Sequence, residues 1–310
     1  MSLEAEEAAV AAKDMACCAS CGKAEVDDVK LKKCACKLVK YCSVDCQKNH
    51  RPQHKKMCKK TLAELRDDDL FTLPDGSCFG ECPICCLPLS LDPAKTTISH
   101  CCSQLICNGC NVANKKREIE AGFLEPRCPF CRDPAPKSRE EGDKRMMKRV
   151  KKNDPLAICQ MGRRRRNEWD YETAFEYFAK AAELGDAAAH FELACLCHNG
   201  CCVEKDEKKQ VYHLEEAAIR GHPTARHNLG VREWRNGRFE RAKRHFIIAA
   251  NLGCNDSLKG LRMLYAEGHA TKDNYLSALR AYQAALDATK SPERKVAEAY
   301  YAYAFNDCFA

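Results

Sequence analysis

No stretch of this 310-residue chain approaches the roughly 20 consecutive apolar residues that a membrane span needs, so no membrane partner is expected. Residues 1 to 16 are rich in Ala and Glu and lack both a basic start and a long apolar core, so a secretory signal is not expected either. There is no phosphate-cradling glycine loop, no nucleophile elbow and no His-Glu-x2-His helix, which removes the ordinary catalytic classes. A helix-turn-helix signature and aromatic platforms for base stacking are also missing, so nucleic acid is not an expected partner. The expectation is a chain of the cytoplasm or nucleus, and the features that follow point to proteins or peptides as its partners.

Against these absences stand 25 cysteines. In a reducing compartment, paired Cys-x2-Cys spacing reads as metal binding rather than as a disulfide scaffold. Two ladders hold the pairs. The first is Cys18, Cys21, Cys34, Cys36, Cys42, Cys46, His54 and Cys58. The second is Cys82, Cys85, Cys101, Cys102, Cys107, Cys110, Cys128 and Cys131. Each supplies eight soft or borderline ligands, enough for two closed tetrahedral zinc sites, or four ions in the chain. Closed sites leave no position open for substrate, so the metals are expected to build recognition surfaces. Cysteines outside the ladders, such as Cys159, Cys195, Cys197 and Cys254, sit in helical patterns and read as small buried apolar residues.

The first ladder resembles a MYND-type zinc finger, here residues 17–60. The resemblance rests on Cys34-Ala-Cys36, on Tyr41-Cys42-x3-Cys46-Gln47 and on His54-x3-Cys58. It implies one zinc on Cys18, Cys21, Cys42 and Cys46, and an interleaved one on Cys34, Cys36, His54 and Cys58. Such fingers bind short proline-containing peptides. This chain departs from the family in having one residue between Cys34 and Cys36 where two are usual. It also has Arg51 where a tryptophan usually stands three residues before the histidine.

The second ladder resembles a RING finger, here residues 78–134, on the strings Cys82-Pro83-Ile84-Cys85 and Cys128-Pro129-Phe130-Cys131-Arg132. The resemblance implies zinc on Cys82, Cys85, Cys107 and Cys110, and on Cys101, Cys102, Cys128 and Cys131, with His100 as the alternative to Cys101. It also implies a ubiquitin ligase whose candidate contacts to a conjugating enzyme are Ile84, Pro129 and Arg132. Asn111 stands where such fingers often carry tryptophan. The competing expectation is an inert finger serving as a scaffold piece.

From about residue 153 the pattern is helical. Asn153, Gly185, Gly221 and Gly253 stand 32, 36 and 32 residues apart. Ala-Ala pairs precede the three glycines, and Phe178, Leu214, Phe246 and Tyr282 recur three positions before an alanine. A period in the thirties predicts stacked helical hairpins, each second helix ending at its glycine in the left-handed conformation. The repeats resemble Sel-type repeats, which are tetratricopeptide-like and imply a concave face for a partner. Tyr171, Phe175 and Trp169 are expected in the inter-repeat core. Ser291-Pro292 predicts a final helix to about Phe305 that caps the stack.

The net charge of +7 is local: residues 132 to 166 hold 13 Lys or Arg against 5 Asp or Glu. Lys144 to Lys152 and Arg163 to Arg166 read as a nuclear import signal, a phosphate-contacting patch or solvated helix faces.

The expected fold is therefore two small zinc-stabilised α+β modules of the cross-brace kind followed by an all-α solenoid of helical hairpins. The expected division is a flexible segment 1–16, the two fingers, a basic linker 135–152 and repeats 153–305. A charged bridge, Lys59 to Asp69, joins the fingers, and the fingers are expected to unfold separately from the repeats. Two functions fit: a RING-type ubiquitin ligase whose MYND finger and repeats recruit substrate, or a non-catalytic scaffold.

Overall fold

The computed structural model describes residues 17–26, 29–201 and 205–306, with side chains through residue 302, so segment 1–16 lies outside the described residues. The chain divides into two units, one ending at Thr72 and one beginning at Leu73.

In the first unit, β1 (Lys32–Lys33) and β2 (Lys40–Tyr41) form an antiparallel hairpin with Lys32 opposite Tyr41. Helix α1 (Val44–Phe71) follows, and the Ser43 side chain caps it by accepting from the Cys46 N–H. The buried cluster is Cys18, Leu31, Cys34, Cys36, Val39 and Tyr41. Half of these are cysteine, so hydrocarbon burial alone is too small to hold so short a module. The expected bridge from Lys59 to Asp69 is instead part of α1, which runs 28 residues without a break. Past Pro52 the sequence contains no Gly or Pro before Phe71, and Leu62-Ala63-Glu64-Leu65-Arg66 are strong helix formers.

The second unit opens with the second cysteine module. Strands β3 (Thr96–Ile98) and β4 (Leu105–Cys107) pair antiparallel, with Thr97 opposite Ile106. Helix α2 (Asn108–Glu120) follows directly, capped by the Cys107 sulfur, which accepts from the Cys110 N–H. Ten helices come after it. These are α3 (Arg139–Val150), α4 (Pro155–Asn167), α5 (Tyr171–Glu183), α6 (Ala187–Asn199) and α7 (Glu207–Ile219). Then come α8 (Pro223–Arg235), α9 (Phe239–Asn251), α10 (Asn255–Ala266), α11 (Lys272–Ala288) and α12 (Pro292–Asn306).

Helices α4/α5, α6/α7, α8/α9 and α10/α11 form four hairpins, and each packs on the next. The alanine pairs at 181–182, 217–218 and 249–250 are all buried at these crossings. Phe178 lies so close to Gly162 that a Cβ there would stand 2.7 Å from its ring, and Phe246 fills the space over Gly230 in the same way, at 2.6 Å. Gly185, Gly221 and Gly253 do end α5, α7 and α9 with φ of +89°, +80° and +89°. An L side chain resists that conformation, so glycine is the residue that lets each hairpin turn back.

Three expectations are corrected here. Residues 135–152 are no linker: α3 packs on α4 with Met146 and Val150 buried in the first core, and Asn153 ends it with φ +55°. Trp169 is not in the core. It is 78% exposed, in a turn of φ +65°, whereas Tyr171 and Phe175 pack against the first hairpin as expected. The final helix does not chiefly cap α11; its main packing partner is α2 of the cysteine module.

That last contact joins the module to the repeats. Gly109 of α2 meets the backbone of α12 so closely that a Cβ would lie 2.7 Å from the Arg294 nitrogen. At the middle of the stack, the Cys78 N–H donates to the Gly221 carbonyl at 3.0 Å. At the start of the stack, His100 lies against Gly142 of α3 and 3.3 Å from the Arg164 guanidinium of α4. The module therefore touches the start, the middle and the last helix of the helical array.

Candidate metal centres

Local backbone geometry brings the cysteines together. Gly22, Lys37, Cys86, Ser103 and Arg132 each follow the second member of a cysteine pair, and all five have φ between +54° and +71°. The N–H groups of Gly22, Cys86 and Arg132 donate to the carbonyls of Cys18, Cys82 and Cys128. Each pair is thus the end of a tight knuckle that turns both sulfurs to one side. Lys37, Cys86, Ser103 and Arg132 accept a left-handed backbone in these places, a cost that a chelated ion would offset.

The structure gathers sixteen residues into four groups. They are Cys18/Cys21/Cys42/Cys46, Cys34/Cys36/His54/Cys58, Cys82/Cys85/Cys107/Cys110 and Cys101/Cys102/Cys128/Cys131. Within each, the ligand atoms lie within 4.8 Å of one another. Sulfurs on a tetrahedral zinc stand roughly 3.8 Å apart, from Zn–S bonds of about 2.3 Å. The observed separations are 3.5 Å for Cys21–Cys42, 3.6 Å for Cys34–Cys58, 3.9 Å for Cys85–Cys107 and 3.7 Å for Cys102–Cys128. None of the fifteen cysteines in these groups is in a disulfide. The groups interleave along the chain in both modules and are suited to zinc. In the fourth group the Cys101 sulfur lies 3.2 Å from that of Cys131, while His100 faces Arg164.

The electrostatics of the thiols point the same way. Burial acts to raise Cys18, yet backbone N–H groups, that of Cys21 foremost, hold it down to about 6. The same competition leaves Cys82 and Cys128 near about 7. Cys58 and Cys102 are pushed up to about 11, by burial first and by neighbouring thiols after it. Each of these cages presents four donor atoms suited to a cation.

Arg294 is a residue that sequence reasoning missed. Its guanidinium donates to Cys85 Sγ at 3.5 Å and to the Leu87 and Pro88 carbonyls at 3.1 and 2.7 Å. It comes from α12, 209 positions from Cys85, and no local motif marks it. Asn111 likewise donates to Thr97 Oγ1 at 3.2 Å and to the Tyr301 hydroxyl at 3.1 Å. Arg294, which touches a ligand sulfur, is an outer partner of the kind that orients the ligands of a metal.

The three candidate contacts to a conjugating enzyme fare differently. Ile84 is 43% exposed and Pro129 is partly buried. Arg132 is held by an ion pair of 2.9 Å to Glu118 of α2, whose other oxygen takes Arg127 at 2.9 Å. The Glu118 side chain is buried, and the hydrogen bond from Arg127 holds its carboxyl below the usual range.

Residues 18–58 match the family model of the MYND finger. The first unit thus carries a MYND finger, and residues 78–134 lie outside that match. A comparison with curated proteins found no match. Among solved structures, the chain is similar to a Sel1 repeat protein from Oxalobacter formigenes at 29% identity and a TM-score of 0.43. That likeness covers 49% of this chain and 66% of the other. It is also similar to c5321, a protective antigen of uropathogenic Escherichia coli strains with an SLR fold. There the identity is 16%, the TM-score 0.33, and the coverage 53% of this chain and 48% of the other. The chain thus spans less than two thirds of either structure. Among the described residues no helix is long and apolar enough to cross a membrane.

Elemental analysis of metal-replete protein is expected to return four zinc per chain, one for each group. A value of two would mean that one module holds no metal, and the adjacent pair Cys101-Cys102 makes the second module the one to inspect.

Proposed function

We propose that this chain is a non-catalytic, zinc-built adaptor that binds protein partners through its MYND finger and the outer surface of its repeats. The zinc-finger and repeat architecture supports a protein-interaction role. The observation that carries the finer reading is the seating of α12 on α2. Arg294, Tyr301 and the backbone of α12 occupy the side of the second module formed by Cys85, Leu87, Pro88 and Asn111. Arg132 is engaged by Glu118 rather than free to bridge two other proteins. The second module then serves as a brace of the helical array. Trp169, 78% exposed on a turn of the first hairpin, is the kind of rigid aromatic anchor that partner surfaces use.

A ubiquitin ligase is the second reading, favoured by the exposure of Ile84 and of Phe130 at 43% and 39%. The test is ubiquitin discharge from a broad set of charged conjugating enzymes, with the full zinc-loaded chain added. The adaptor reading expects no acceleration from any of them. Acceleration that Ile84→Ala abolishes without releasing zinc would replace it by the ligase reading.

A further inference from the structure

Between α3 and the closing loop of the second cysteine module lies a groove of about 520 Å³. One wall is Cys101, Asp133 and Pro134; the other is a single face of α3 and the turn beyond it. That face carries Glu141, Lys144, Arg145, Lys148, Arg149 and Lys152, so the lining holds five cationic side chains against the two carboxylates Glu141 and Asp133. The two arginines are committed. Arg145 donates to the Pro134 carbonyl and pairs with Glu141, and Arg149 places two N–H groups on Asp154 at 3.0 and 2.7 Å. They fix the helix to the module and to its own C-terminal turn.

The three lysines are left over. None of Lys144, Lys148 and Lys152 makes an ion pair among the described residues, and all three are exposed along the groove. Lys144 and Lys148 stand one helical turn apart, roughly 6 Å along α3, and Lys152 follows in the turn beyond the helix end. We infer that this groove binds a compact anion bearing several phosphate groups. Three ammonium groups in a row act as point charges for phosphates. The volume suits a small molecule. A single-stranded nucleic acid would need stacking surfaces, and the lining holds no aromatic residue. An acidic protein segment would need an apolar anchor, and Pro134 and Cys101 offer little.

Titration calorimetry on the full zinc-loaded chain, with inositol hexakisphosphate and with tripolyphosphate at about 0.15 M salt, tests this. Saturable binding of one molecule per chain is expected. The double variant Lys144→Gln/Lys148→Gln should weaken it by about tenfold or more, as a loss of two charge-assisted contacts. The control Lys259→Gln/Lys290→Gln removes the same charge at exposed sites elsewhere and should leave affinity within about twofold. Vesicles carrying a phosphorylated inositol lipid form a second arm. Binding to them assigns the phosphates to a lipid headgroup, and binding of the soluble probes alone assigns them to a free metabolite.

Four outcomes would overturn the proposal. One is no saturable binding of either phosphate probe. A second is equal weakening by both double variants, which reduces the effect to net charge. A third is tighter binding of a thymidine oligomer or polyglutamate than of the compact probes. The last is loss of zinc from the Lys144→Gln/Lys148→Gln chain, which would mean that the lysines only balance the thiolates at Cys101.

Discussion

Withdrawing zinc is expected to lower the melting temperature of the helical array by about 10 °C or more. Structural zinc contributes roughly 10–16 kcal/mol per site in finger peptides, and two of the four groups lie in the unit that begins at Leu73. Unfolding that module removes the seat of α12, the hydrogen bond at Gly221 and the packing of His100 on α3. A loss of only a few kcal/mol would move the midpoint of a unit this size by about 2–4 °C for each. Helical circular dichroism followed through heating, before and after a strong chelator, measures it. The separable folding expected from the sequence would leave the helical transition unmoved.

Gly221→Ala should cost about 2–5 kcal/mol, and Gly185→Ala only about 1–2. Both positions have left-handed backbone, φ +80° and +89°, so alanine pays the same conformational strain of roughly 1–2 kcal/mol at each. They differ in what surrounds them. A Cβ at Gly221 would stand 2.6 Å from the Gly76 carbonyl oxygen, and one at Gly185 meets nothing within 4 Å. The added overlap is with backbone, which cannot rotate away, and overpacking of that kind costs about 1–3 kcal/mol. The difference in urea midpoint between the two variants thus reports the seam between module and repeats. Equal midpoints would mean that the loop at Gly76 is not seated there.

The metal ligands were legible because chelation demands short, fixed spacings, and the knuckle pairs carry them in the linear sequence. The hairpin ends were legible for a similar reason: only glycine is comfortable at those backbone angles. Even α3 left a trace, since Asn153 stands in register with the three glycines and ends its helix in the same way. It was masked because Met146 and Val150 are nearly its only apolar burial in a strongly cationic segment. The continuation of α1 was masked by the same shortage, a helix of 28 residues that buries only His54, Leu70 and Phe71. Trp169 was placed in the core on residue type alone, whereas its turn conformation directs it to solvent. The seating of the second module left no pattern at all. It depends on single small residues, Gly109 and Gly221, and on an arginine more than 200 positions from its partners. Periodicity cannot report contacts made once.

In the proposed adaptor the second cysteine module braces the repeats. Amide hydrogen exchange, compared between zinc-loaded and chelated chain, tests it most directly. Chelation is expected to speed exchange in α12 and in the turn at residues 219–223, as well as in the cysteine module itself. Unchanged protection in α12 and in that turn, with the module fully exchanged, would contradict it.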